Sequence, residues 1–138
     1  ELLQAALHGD PAALGEALRA RACPDHVSKE CLSPLLVASG SGRLDLVAEL
    51  IVAGADKNMA TGEDGRTPLL AAATCGHTKV ARFLCEMAAD VNKSMQDGLS
   101  PLVAAAMGGH LETVEYLCDV RAEVDRRTEK GATALCIA

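Results

Sequence analysis

Six cysteines and four histidines are the side chains of this chain best suited to bind metal, attack a substrate or move a proton near neutral pH. Cys23, His26 and Cys31 have a loose ligand-like spacing, but structural zinc needs four ligands in paired clusters and only fragments are present. No metal site is expected. Cys75 is the thiol expected to be most exposed, with no identifiable base beside it to generate a thiolate. Cys85 and Cys118 share a register position with Leu18 and Ile51 and read as small apolar core fillers. His77 and His110 follow Gly76 and Gly109, and His8 precedes Gly9, which marks turns rather than acid–base work. No Ser, His and Asp set, phosphate-cradling glycine loop or carboxylate pair in a cleft can be assembled, and Gly40-Ser41-Gly42 is a helix-to-helix turn. An enzyme is not expected, and neither a catalytic residue nor a cofactor is assigned.

The elements that carry these residues are set by repetition. Ser33-Pro34-Leu35, Thr67-Pro68-Leu69, Ser100-Pro101-Leu102 and Thr133-Ala134-Leu135 recur at steps of 34, 33 and 33. Gly9, Gly42, Gly76 and Gly109 keep the same step, as do Ala22, Ala55, Ala89 and Ala122. A period in this range marks stacked-repeat proteins, in which one unit cannot bury its apolar face alone.

Within a unit, Thr67 caps a helix that Pro68 enters at its first turn, where a missing amide hydrogen costs nothing. Ala71, Ala72 and Ala73 keep that helix thin, and Gly76 ends it. A second helix from about Thr78 to Met87 carries Val80, Leu84 and Cys85 on one face. Asp10 and Pro11 open the second helix of the first unit, which reads as an N-terminal capping repeat. Residues 133–138 begin a fifth unit and stop after barely one helical turn. An open face there would expose apolar surface, so the chain is expected to be a piece of a longer protein or to have its end covered.

The order Thr-Pro-Leu, small residues, Gly-His, an aliphatic run and Ala-Asp-Val-Asn, clearest over 67–92, resembles the ankyrin repeat. The resemblance implies an all-α solenoid of antiparallel helix pairs joined by β-hairpin-like fingers. One domain over 1–138 is expected, with repeats at about 1–32, 33–66, 67–99 and 100–132 and a partial repeat at 133–138. It also implies a structural role for the histidines of the Gly-His turns. The family's His after Thr-Pro-Leu is replaced here by Leu36, Leu70, Val103 and Cys136, so its polar bridge is expected to be absent. The family's glycine after the outer helix survives as Gly54 but is Arg21, Ala88 and Arg121 elsewhere, where strained corners are expected at about 1 kcal/mol each. The second finger is one residue longer than the others, with Thr61-Gly62 as the insertion.

Composition limits the partners. The 138 residues are 49% apolar, ample for a continuous core, and no apolar stretch approaches the roughly 20 residues that span a bilayer. A net charge of −6 argues against general nucleic-acid affinity and makes a basic or neutral protein surface the easier match. Cysteine usage is that of a reducing, intracellular compartment.

The resemblance implies binding on the concave surface of finger tips and inner helices. The finger candidates are Lys57, Met59, Glu63 and Arg66, then Lys93, Met95, Gln96 and Leu99, then Arg126, Arg127, Glu129 and Lys130. The inner helices add Thr74, Cys75 and Met107. Acidic Asp45, Glu49, Glu86, Glu112, Glu115 and Asp119 fall on the outer helices, so basic finger tips and an acidic back are expected. Phe83 and Tyr116 share one position on successive outer helices, either as a secondary contact patch or as half-buried packing.

Two function classes follow: an adaptor that recruits a protein through its fingers, and an accessory subunit docked permanently on a large complex. The wording of 131–138 also resembles ankyrin arrays of photosynthetic protists. That resemblance implies a chloroplast location and peripheral attachment to a photosystem.

Overall fold

A computed structural model describes residues 1–120 of the chain. Arg121, Arg126, Arg127, Glu129, Lys130, Cys136 and the partial fifth repeat lie outside the described residues. The described part is four helix pairs in sequence: α1 (Leu2–His8) and α2 (Pro11–Arg19), α3 (Pro34–Gly40) and α4 (Leu44–Val52), α5 (Pro68–Thr74) and α6 (Thr78–Glu86), α7 (Pro101–Met107) and α8 (Leu111–Asp119). The odd-numbered, inner helices pack along one row and the even-numbered, outer helices along a second.

The inner helices start where the sequence says they should. Ser33, Thr67 and Ser100 are extended and buried, and their hydroxyls accept from the amides of Leu36, Leu70 and Val103 at 3.2, 3.2 and 3.3 Å. Pro34, Pro68 and Pro101 fill the first helical position, where no amide is needed. Asp10 caps α2 by accepting from Ala12 and Ala13 at 3.0 and 3.2 Å. α6 ends at Glu86, one residue before the expected Met87, which is its cap.

Ala38, Ala72 and Ala105 are fully buried between neighbouring inner helices, and their small side chains let these backbones approach closely. Larger Leu46, Leu50, Val80, Leu84 and Leu117 fill the space behind them. Outer helices are therefore held farther apart than inner ones, and the stack is concave on the inner-helix side. Ser39 takes the place held by Ala6, Ala73 and Ala106 in the other repeats, and its buried Oγ has no hydrogen-bond partner. Such an orphaned hydroxyl costs about 1–3 kcal/mol.

The Gly-His turns tie each repeat to the one before it. His77 Nε2 donates to the carbonyl of Gly40 at 3.0 Å, and His110 Nε2 donates to that of Thr74 at 3.0 Å. Each imidazole lies over a glycine of the preceding repeat, Gly42 or Gly76, where any Cβ would strike the ring. Both glycines also have positive φ, so the position excludes side chains twice over. At the finger bases, Asp25 Oδ1 accepts from Asp56 N at 2.8 Å and Asn58 Oδ1 from Asp90 N at 2.8 Å.

The three described fingers are turns rather than strands. Ser28 N donates to Leu32 O at 2.9 Å and Met95 N to Leu99 O at 3.0 Å, closing the first and third. The second uses its extra residue to make both bonds of a pair, Thr61 N to Arg66 O and Arg66 N to Thr61 O, each 2.9 Å. That pair is the one antiparallel bridge among the described residues.

Arg21 and Ala88 take the left-handed backbone that Gly54 adopts at the same corner, with φ of 60° and 63°. Cys31 does so too, at 58°, where the other described fingers have Gly65 and Gly98. Cys85 is half-buried against the next outer helix, whereas Cys118 lies on α8, the last described helix, and is exposed among the described residues.

Each left-handed non-glycine stores about 1 kcal/mol of backbone strain. Ala88→Gly and Cys31→Gly should each raise the melting temperature by a few degrees, and Gly54→Ala should lower it, as thermal unfolding followed by circular dichroism will show. Equal melting temperatures for all four proteins would contradict this.

Candidate protein-binding surface

Between α3, α5 and the second and third fingers the concave side sinks into a hollow of about 330 Å³. Its existence traces to one residue. Leu7, Gly40, Thr74 and Met107 share a register position on successive inner helices, and only Gly40 has no side chain there. Leu36 and Leu70, standing where the family's polar histidine would be, make the floor apolar. Met95 and Leu99 of the third finger wall one side, and Arg66 stands at the second finger. Thr74 and Cys75 close the far rim, with Thr74 Oγ1 donating to Leu70 O at 2.8 Å.

Of the residues expected to bind a partner, the fold thus brings Arg66, Thr74, Cys75, Met95 and Leu99 together around one cavity. Met107 is 63% exposed on the next inner helix, level with Thr74. Glu63 and Gln96 are exposed and linked, with Gln96 N donating to Asp64 O at 3.0 Å and Gln96 Nε2 to Glu63 O at 2.6 Å. Lys57 and Met59 are half-buried at the base of the second finger. Lys93 has a structural partner, its Nζ donating to the carbonyl of Asn58 at 2.7 Å.

The expected charge pattern holds on the back only. All six named acids of the outer helices are exposed, but the described finger tips expose Glu30, Glu63, Asp64 and Asp97 against Lys29 and Arg66. They are acidic on balance. A smaller hollow of about 170 Å³ runs from the first into the second finger and carries Glu30 and Asp64 in its walls. Leu32, Leu36 and Arg66 belong to both hollows, so the two adjoin.

Reading the sequence missed Leu32, Leu36, Gly40 and Leu70 as lining of this hollow. The row Leu7–Gly40–Thr74–Met107 was the available signal, because a gap in a row of side chains is a hole. A third hollow, about 490 Å³ on the first repeat, is lined by Glu1, Gln4, His8, Asp10 and Glu16 with alanines behind them.

On the convex side Phe83 and Tyr116 are half-buried and pack between repeats. The Arg82 guanidinium sits 4.9 Å from the centre of the Tyr116 ring, and the Tyr116 hydroxyl donates to the Arg82 carbonyl at 3.5 Å. Burial raises the Tyr116 phenol above its ordinary range, and neighbouring Cys85 and Glu86 add to this. Burial likewise pushes the Cys85 thiol up to about 11, with nearby Glu86 adding and the Tyr116 hydroxyl opposing. No cluster of His, Cys, Asp and Glu among the described residues could hold a metal ion. No helix among them is long and apolar enough to cross a membrane.

A row of helix pairs, tied by side-chain bonds about one period apart and concave on its inner-helix side, defines a stacked-repeat binding protein. The family model described as ankyrin repeats (3 copies) matches residues 2–95 and 88–138, and the chain belongs to the ankyrin repeat family. A comparison with individually curated proteins finds no match. Ankyrin repeats are generally protein–protein interaction modules, and the family is typically non-catalytic.

The cysteines should separate by chemistry. At about pH 8, iodoacetamide should modify exposed Cys75 and leave Cys85 untouched, because the thiolate is the reactive form. Peptide mass spectrometry should find Cys85 labelled only as the pH nears 11 or after unfolding; equal labelling at pH 8 would refute the assignment.

Proposed function

We propose that this chain is a non-catalytic protein-binding module that takes its partner on the concave face. The hollow between α3 and α5 carries the reading, because it is lined mainly by apolar side chains and five residues expected to bind a partner surround it. A partner side chain enters against Leu36 and Leu70, and Met95 and Leu99 adapt around it. Met107 extends apolar contact along the inner helices, and Glu63 and Gln96 offer polar contacts at the rim. Lys93 acts from behind through its bond to the Asn58 carbonyl, and Lys57 and Met59 lie half-buried at the base of the second finger. By register alone, Arg126, Arg127 and Lys130 continue the surface on the fourth finger.

Affinity capture with the folded chain tests this. Thr74→Arg and Met107→Glu should each reduce recovery of a bound partner roughly tenfold, the cost of losing a buried contact. Val52→Glu, on the convex side where Val52 is 87% exposed, should leave recovery unchanged. Loss with Val52→Glu and retention with both concave variants would move the interface to the back.

A further inference from the structure

We infer that the two adjoining hollows form a two-point anchor for a peptide segment that pairs one large aliphatic side chain with a Lys or Arg a few residues away. The inference rests on binding taking place on the concave face, and it specifies the chemistry of what binds there.

The larger of the two, about 330 Å³ with Leu36, Leu70, Met95 and Leu99 in its walls, has the size and lining to take one large apolar side chain. The Thr74 hydroxyl already donates to Leu70 O, and the Thr74 and Gly40 carbonyls each already accept from a histidine, His110 and His77. Arg66 is the one charged side chain in this lining, and the leucines and Met95 around it make an apolar occupant the better match.

The smaller hollow opens towards the finger tips and carries the carboxylates of Glu30 and Asp64. Glu63 and Asp97 stand exposed on the same tips. No described residue forms an ion pair with these four acids, and the ion pair among the described residues is Arg43 with Asp45, on α4 and its cap. Lys93, the nearest lysine in sequence to the third tip, is turned back onto Asn58. These four acids outnumber Lys29 and Arg66, the exposed cations beside them, so charge complementarity calls for a cation next to the apolar side chain. An acidic segment would meet the same carboxylates as repulsion.

Gly40 offers a direct test that leaves the fold intact. A Cβ built there meets nothing closer than Ala71 Cβ at 3.7 Å, and the same register position holds Leu7 and Met107 in other repeats. Gly40 is helical, so a side chain also removes some unfolded-state freedom. Gly40→Leu should fill the hollow and melt no lower than the parent chain.

A random peptide library displayed on phage, panned against the folded chain, should enrich sequences that pair Leu, Ile, Met or Phe with Lys or Arg. A synthetic peptide of the enriched sequence should lose roughly tenfold in affinity to the Gly40→Leu protein, and a similar amount when its aliphatic residue becomes Ala. The Glu30→Lys, Asp64→Lys double variant should weaken it roughly three- to fivefold at low salt, with the difference shrinking as salt is added. Enrichment of acidic peptides, no enrichment at all, or binding untouched by Gly40→Leu would overturn the inference. If Thr74→Arg and Met107→Glu still abolish binding while Gly40→Leu does not, the anchor fails and the concave face stands. If none of the three variants matters, both fail.

Discussion

A single helix pair of this chain cannot hide its apolar side chains from water, and the rest of the structure follows from the need to seat the next pair at the same height. Leu35, Leu69 and Leu102 are buried only because another repeat lies against them. Apolar burial alone would tolerate sliding, since one aliphatic surface packs on another at many heights. Register comes from directional bonds. Two imidazoles reach back to carbonyls of the preceding repeat, and Asp25 and Asn58 accept amides of the following finger. These bonds join residues 31–37 apart, about one period, so a slip of even one turn would break all of them. The hydroxyl pair of Thr78 and Thr113, 2.8 Å apart and buried, does the same between outer helices.

The same strict register explains why a cavity appears at one place. When equivalent residues stand in rows, a glycine in one row and leucines in the next leave a hole with an apolar floor. Gly40 supplies the hole, and Leu36 and Leu70 supply the floor. Those leucines stand where the family carries a polar turn residue, so this chain exchanges a local bridge for greasy depth. The ordered caps and finger ties then hold the walls, including Met95 and Leu99, close to the geometry a partner meets, which lowers the entropy lost on binding.

Much of the fold was legible because it is periodic. The caps Ser33, Thr67 and Ser100, the glycine turns and the extra residue near Thr61-Gly62 are local chemistry repeated in register, and the structure places them as expected. The strained corners at Arg21 and Ala88 were legible for the same reason, as departures from a glycine that the backbone requires. What could not be read depends on where a side chain ends. Cys85 and Cys118 have the same register, yet their burial is decided by what lies on the next helix. Lys93 counted as free positive charge until its Nζ was found on a backbone carbonyl. The finger tips were expected to be basic from Lys57, Arg66, Lys93, Arg126, Arg127 and Lys130, while on the described tips Glu30, Glu63, Asp64 and Asp97 outnumber the exposed cations. The slot at Gly40 was hidden because it is made by a side chain that is missing.

The most direct test of this account is methyl NMR of the folded chain titrated with a short peptide that carries one leucine next to a lysine. Shift changes should centre on Leu36, Leu70, Met95 and Leu99, with Val52 and Leu111 on the outer helices unmoved. Shifts centred on the outer helices, with those four residues silent, would contradict binding in the concave slot.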